Sequence, residues 1–237
     1  MRGDREQPKG RVPAEAPLRE RLVGVGVDLV LEGGVEALGL REIARRAGVS
    51  HGAPRRWFPT HRSLLSAIAR SGFTDLAERL ERAAPQDSPA SAREQIDALA
   101  RAYLAYARER RGMFELMFRH ELLEGGAQAP ADHGTASPSG QTEGVARPAA
   151  LPPLRETSLP LLWRLASLVA RHRAERGLPG APVPEVAAVA LWSNLHGLAQ
   201  LQGWGSLDPA LGAGPGGNGE EARLLTAVLD AHLAGPA

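Results

Sequence analysis

The sequence predicts an all-α protein in which a small N-terminal head of three helices sits on a larger helical body. Three observations lead there. Apolar residues recur at steps of three and four along most of the chain, the spacing of amphipathic helices. No stretch alternates apolar and polar residues as a half-buried strand requires, and no internal repeat is present. The periodic stretches are separated by Gly and Pro, several with Ser or Thr at the start, which is how helices begin and end.

At 237 residues the chain can hold one large or two small domains with a substantial core. It has no cysteine, which excludes disulfides, thiolate metal sites and thiol catalysis. No apolar run approaches the roughly 18–20 residues of a membrane helix, and the polar N-terminus lacks the core of a signal peptide. A soluble, cytoplasmic protein with no membrane partner is expected. Net charge is only +1, but its distribution is uneven. Residues 1–62 hold 12 Lys or Arg against 8 Asp or Glu, and the remainder 16 against 19. Positive charge is thus concentrated in the head, as a phosphate-binding part requires.

Residues 1–16 carry Arg2, Arg5, Lys9 and Arg11 among Pro and Gly with no periodicity, and are expected to be a disordered arm. A first helix is expected from Pro17 to Glu32, with Leu18, Leu22, Val25 and Leu29 on one stripe and Gly33-Gly34 as its stop. Gly24 and Gly26 weaken it unless another helix packs closely there. Leu40, Ile43, Ala44 and Ala47 mark a second helix; Gly48 ends it, and Ser50 can cap a third, short and polar one over His51–Phe58. Pro59 stops that helix. Thr60 can then cap a fourth, on which Leu64, Leu65 and Ile68 are apolar and which continues to about Ala84. Two helices joined by so short a turn form a helix-turn-helix, whose second helix enters the DNA major groove.

The stretch LREIARRAGVSHGAPRRWFPTHRSLL, residues 40–65, resembles the DNA-binding domain of the TetR-type one-component transcriptional regulators, and the resemblance extends back through residues 20–38. It implies a DNA-binding domain over residues 17–62, with Arg41, Ser50, His51, Ala53, Arg55, Arg56, Trp57, His61 and Arg62 as DNA contacts. Four positions depart from the family pattern. Gly39 replaces the usual Ser or Thr cap. Pro54 replaces an apolar residue and, if Ser50 is the cap, deletes a backbone bond and crowds the Ser50 carbonyl. Arg55 and His61 stand where Tyr and Lys often contact phosphate. Gly48-Val49-Ser50-His51-Gly52 also matches the G-x-S-x-G elbow of esterases, but the residues before Ser50 read as a charged helix, not as a buried strand.

The body, residues 63–237, should contain helices over residues 91–111, 112–123, 154–176, 184–203 and 220–234. Residues 125–153 are poor in large apolar side chains and are expected to be a flexible loop. Leu191–Gly197 resembles the Trp-x-x-x-His-Gly element of one C-terminal domain type in the same family. Phe73, Tyr103, Met117, Phe118, Trp163, Trp192 and His196 are the candidate wall of a pocket for a small, mostly apolar effector. The resemblance implies a two-fold homodimer through the last two helices, with Leu195, Leu198, Leu224, Leu225 and Val228 at the interface. His133 stands alone in its loop, and the spacing of His172 and Glu175 supplies no metal set, so neither metal nor cofactor is expected.

The expected function is a ligand-responsive transcriptional regulator, a repressor, binding a palindromic operator on double-stranded DNA as a homodimer and released by its effector. Two readings of other classes stand beside it: an all-α hydrolase using Ser50, and a helical dimerisation module that has lost DNA binding through Pro54 and His61.

Overall fold

The computed structural model describes residues 17–119, 122–123, 154–177, 183–207 and 218–233, and every regular element among them is a helix. The expected arm (1–16), the expected loop (125–153) and His133 lie outside the described residues. The α-helices are α1 (Leu18–Gly33), α2 (Leu40–Arg46), α3 (His61–Ala83), α4 (Ala92–Glu109), α5 (Arg111–Phe118), α6 (Arg155–Arg176), α7 (Pro184–Gly203) and α8 (Asn218–Leu233). Two 3-10 turns, Val35–Ala37 and Ala53–Arg56, lie among the described residues as well.

The chain divides into two compact units, one of residues up to Ser71 together with Glu115–Leu154, the other of Gly72–Phe114 and Arg155–Ala237. The first includes the early turns of α3, which carry its core: Leu64, Leu65, Ile68 and Ala69 are all buried. α1 contributes Leu22, Leu29 and Val30. It also contributes a surface without a side chain. A Cβ added to Gly26 would lie 2.3 Å from the Ile68 Cδ1, so the two helices approach as closely as glycine permits. α1 ends where expected, on Gly34 at φ 72° with its N–H on the Val30 carbonyl at 3.0 Å. Thr60 caps α3 reciprocally with Ser63: Ser63 N–H donates to Thr60 Oγ1 at 2.9 Å, and Thr60 N–H to Ser63 Oγ at 3.2 Å.

In the second unit α4, α6, α7 and α8 pack on one another. α4 begins with a full capping box: Glu94 N–H donates to Ser91 Oγ at 3.3 Å, and Ser91 N–H to Glu94 Oε2 at 2.9 Å. The turn before it is held from α6. Arg164 donates to the Ala84 carbonyl and pairs with Glu81, Arg171 donates to the Ala90 carbonyl, and the Glu175 carboxylate accepts from Ala92 N–H at 3.3 and 3.2 Å. Buried Gln95 closes the same turn through the carbonyls of Ser88 and Ala90. His172 is buried with Nε2 3.2 Å from the Leu233 carbonyl, tying α6 to the end of α8. His172 and Glu175 are thus fully used in holding helices together.

Replacing Ser91 by Ala should cost about 1 kcal/mol and lower the melting midpoint by about 2–4 °C at neutral pH. The Ser91 hydroxyl and N–H hold the Glu94 carboxyl below its ordinary range. Its contribution is present above that range and is lost as pH falls through the lowered value, so the deficit measured by thermal circular dichroism should narrow in acid.

Candidate nucleic-acid interface

Helix α2 starts on Gly39, extended at φ −75°, ψ 132°, without a side-chain cap. It ends in a Schellman turn. Gly48 stands at φ 69°, its N–H on the Arg45 carbonyl at 3.1 Å, and Val49 N–H reaches the Ala44 carbonyl at 3.0 Å. Arg21 of α1 donates to the Ala47 carbonyl and fixes this corner from behind.

The expected helix over His51–Phe58 is replaced by the 3-10 turn Ala53–Arg56. Pro54 has no N–H to return to the Ser50 carbonyl, and its ring would crowd that carbonyl in an α-helix. The backbone instead closes through bonds three residues apart, Ala53 N–H to Ser50 at 3.0 Å and Arg55 N–H to Gly52 at 3.2 Å. The cap position falls on Gly52 and carries no side-chain bond, so Ser50 contributes its carbonyl, not its hydroxyl as expected. Pro54 itself is buried, as is Phe58, over whose ring the Arg19 guanidinium lies at 5.8 Å. The esterase-like reading of Ser50 ends here, because a helix and a turn precede it and no strand is present among the described residues.

The arginines sort into two groups. Arg45 and Arg46 are neutralised: Glu42 accepts from both, at 2.7–2.9 Å, and Arg46 also pairs with Glu32 at 2.6 Å. Arg41, Arg55 and Arg56 are exposed and have no acidic partner among the described residues. Arg41 and Arg55 line, with Leu40, His51 and Gly52, an open groove of about 420 Å³. Trp57 stands beside them, 40% exposed, and Ala53 is half-buried. Ser50 and Arg62 are also exposed. His61 is engaged differently from the expected phosphate contact: its Nε2 lies 2.6 Å from the Leu38 carbonyl, and with the proton there it ties the start of α3 to the turn before α2.

In the second unit, sequence candidates Tyr103, Trp192 and His196 come together. The Tyr103 hydroxyl is 2.9 Å from His196 Nδ1, and Gln200 Nε2 is 3.3 Å from His196 Nε2. The Trp192 and Phe114 rings lie 5.5 and 5.4 Å from the imidazole, and Phe114 meets Tyr103 edge-on at 5.5 Å. Burial pushes the Tyr103 hydroxyl well above its usual range, against a smaller opposing effect of the Trp192 N–H, so it stays a neutral donor and acceptor. Phe114 and Gln200 were not among the sequence candidates; Gln200 was legible as the residue one turn after His196. Phe73 is buried in the same unit, whereas Met117 and Phe118 belong to the first one. Trp163 is 52% exposed on α6.

The five expected interface residues differ in their exposure within the single chain. Leu195, Leu198 and Leu225 are buried in the chain's own core, leaving Leu224 and Val228 half-buried. The large apolar side chains that α7 turns outward are Val186, Val189 and Leu201, and Trp204, at the cap position after it, is 67% exposed.

Comparison with known proteins agrees with this architecture. A family profile described as "Tetracyclin repressor-like, C-terminal domain" matches residues 96–216. The HTH-type transcriptional regulator Rv1816 of Mycobacterium tuberculosis is 26% identical over 228 residues, spanning 94% of this chain and 96% of its own. A protein of unknown function from Rhodococcus sp. RHA1 superposes with a TM-score of 0.65 at 28% identity, covering 96% of this chain and 97% of the other. A TetR-like transcriptional regulator from the same source gives 0.58 at 16% identity, covering 95% and 100%, a likeness of fold alone.

The two arginines bonded to Glu42, Arg45 first and then Arg46, hold its carboxyl down at about 2. At pH 3.5 Glu42 should remain ionised while ordinary exposed carboxyls are mostly protonated, and its stabilising pairing should disappear only as pH falls toward 2. A carbon-detected NMR titration of the side-chain carboxyls checks this.

Proposed function

The chain belongs to the TetR family of transcriptional regulators, and from that premise we propose that it is a ligand-responsive repressor acting as a homodimer on a palindromic operator. The family's members are regulators, not enzymes. The observation that carries the proposal is the sorting of the arginines. Within one short region, those pointing along α2 are cancelled by Glu42 and Glu32, while Arg41, Arg55 and Arg56 remain uncompensated around the groove beside His51. Uncompensated guanidinium groups repel one another and are retained where a polyanion supplies the counter-charge.

In this reading the segment from His51 to Trp57 enters the major groove, and Arg55 contacts phosphate. Ser50, Ala53 and Arg62 flank it, while His61 sets the register of α3 instead of touching the backbone. Two copies reach half-sites about one helical turn apart, roughly 34–36 Å. The dimer forms through the outward faces of α7 and α8, on Val186, Val189, Leu201, Trp204, Leu224 and Val228. The effector is a small, mostly apolar molecule taken up by the body near Tyr103, Trp192 and His196, the imidazole and hydroxyl giving it one polar contact. An effector that binds better to the body in the DNA-incompetent state shifts the population away from DNA, and by linkage DNA weakens the effector. No described helix is long and apolar enough to cross a membrane, and action in the cytoplasm fits that.

A gel shift with the DNA upstream of the chain's own coding sequence tests the proposal, and no salt-dependent retardation would leave only a dimerisation module. Arg55→Ala should weaken binding to operator and random duplex alike and flatten the slope of log affinity against log salt by about one per half-site. Val189→Asp should convert the dimer to a folded monomer in sedimentation equilibrium, because a charge would replace an apolar contact in a desolvated interface.

A further inference from the structure

Within the second unit, Trp192, His196 and Gln200 follow one another at steps of four along α7, so they share one stripe of the helix, and His196 bonds to Tyr103 of α4. The hydrogen bonds along that stripe have a sense that follows from what each group can do. The Gln200 amide nitrogen carries hydrogens and offers no lone pair, so at 3.3 Å it donates to His196 Nε2. An imidazole that accepts at Nε2 bears its proton on Nδ1, and Nδ1–H then donates to the Tyr103 oxygen at 2.9 Å. The Trp192 N–H is directed to the same oxygen.

Both donors are spent on that oxygen, and the hydrogen of the Tyr103 hydroxyl is left over. It cannot return to His196, whose Nδ1 already bears a proton, and no other acceptor meets it among the described residues. Tyr103 is buried, and a buried donor without an acceptor is uncommon. Donors converging on one hydroxyl oxygen also polarise its own O–H and make it the stronger donor. The surroundings limit what can accept. The Phe114 and Trp192 rings flank the imidazole, and none of these five side chains carries a charge, so neither a carboxylate nor an ammonium group would find its counter-charge in them. The stripe is not sealed: Trp192, His196 and Gln200 are half-buried, and a Cβ added to Gly197, the residue after His196, would meet nothing within 4 Å.

We propose that the Tyr103 hydroxyl is the polar anchor of this site and donates to a neutral acceptor oxygen, so that the effector is an apolar molecule bearing a carbonyl, as in a ketone, an ester or a lactone. The ligand class rests on the reading that the body takes up an apolar effector here; the direction of the hydrogen-bond chain does not.

The chain is tested first without ligand, by long-range proton–nitrogen NMR of the His196 ring in the full-length protein. Nδ1 should be the protonated nitrogen. A proton on Nε2 would mean that the Tyr103 hydrogen is already spent on Nδ1, and the proposal falls. The ligand class is tested by calorimetric titration with cyclooctanone, cyclooctane and cyclooctylamine, which share one ring. The ketone should bind about tenfold more tightly than the hydrocarbon or the amine, the worth of one good hydrogen bond, and Tyr103→Phe should bring it down to the hydrocarbon, whose own affinity stays unchanged. The infrared carbonyl stretch of the bound ketone should lie at lower frequency in the parent than in the variant, and in the parent alone it should lie below its value in an alkane, which keeps the test decisive if Tyr103→Phe does not fold. Binding of ketone and hydrocarbon with equal affinity, or a carbonyl stretch like that in an alkane, overturns the proposal and leaves the apolar-effector reading standing. If none of the three binds, that reading and the ligand class fall together, and the His196 tautomer still decides the direction of the chain.

Discussion

The head depends on one close approach. Because position 26 has no side chain, α1 can lie directly against Ile68, and the core formed by Leu22, Leu29, Ile43, Leu64 and Ile68 closes without a gap. From the same helix Arg21 reaches the carbonyl end of α2, and Arg19 covers Phe58. A reading surface built from a four-residue turn has little stability of its own, so its rigidity is borrowed from the helices behind it.

Most helix limits were legible in the sequence, because Gly34, Gly48, Thr60, Ser91 and Pro184 each act through local backbone chemistry. α7 runs from Pro184 to Gly203, as its flanking residues indicate. Two kinds of feature were not legible. Pro54 announced a disturbance, but whether the segment would distort or become a 3-10 turn depended on which of Ser50 and Gly52 took the cap position, a tertiary outcome. In α7, apolar residues occupy almost every side, so periodicity could not say which side faces the core; Leu195 and Leu198 proved to face inward and Val186 and Val189 outward. Trp163 is exposed in the single chain, and a large aromatic residue implies burial somewhere without saying in which molecule.

Polar side chains make a similar point about role. His61 occupies a position where a cation would meet phosphate, yet it is spent on the Leu38 carbonyl. His172 and Glu175 have the spacing of a ligand pair and serve as braces for the end of α8 and the start of α4. Tyr103, His196 and Gln200, three separate residues in the sequence, form one chain of hydrogen bonds lined by Phe114 and Trp192. Gln200 Nε2 can only donate, so His196 Nε2 accepts and its Nδ1–H donates to the Tyr103 oxygen, which gives the chain one direction.

The brevity of the 3-10 turn has a consequence for how much a genome can ask of it. A 3-10 turn climbs about 2 Å per residue with side chains three apart eclipsed, so Ala53 and Arg56 share one edge, and under the proposed reading each copy could inspect few letters of a binding site. In the proposed repressor, information missing from the alphabet would be recovered from the ruler: the fixed distance between two such edges, and the stiffness of the DNA between them, would separate true sites from the many near matches.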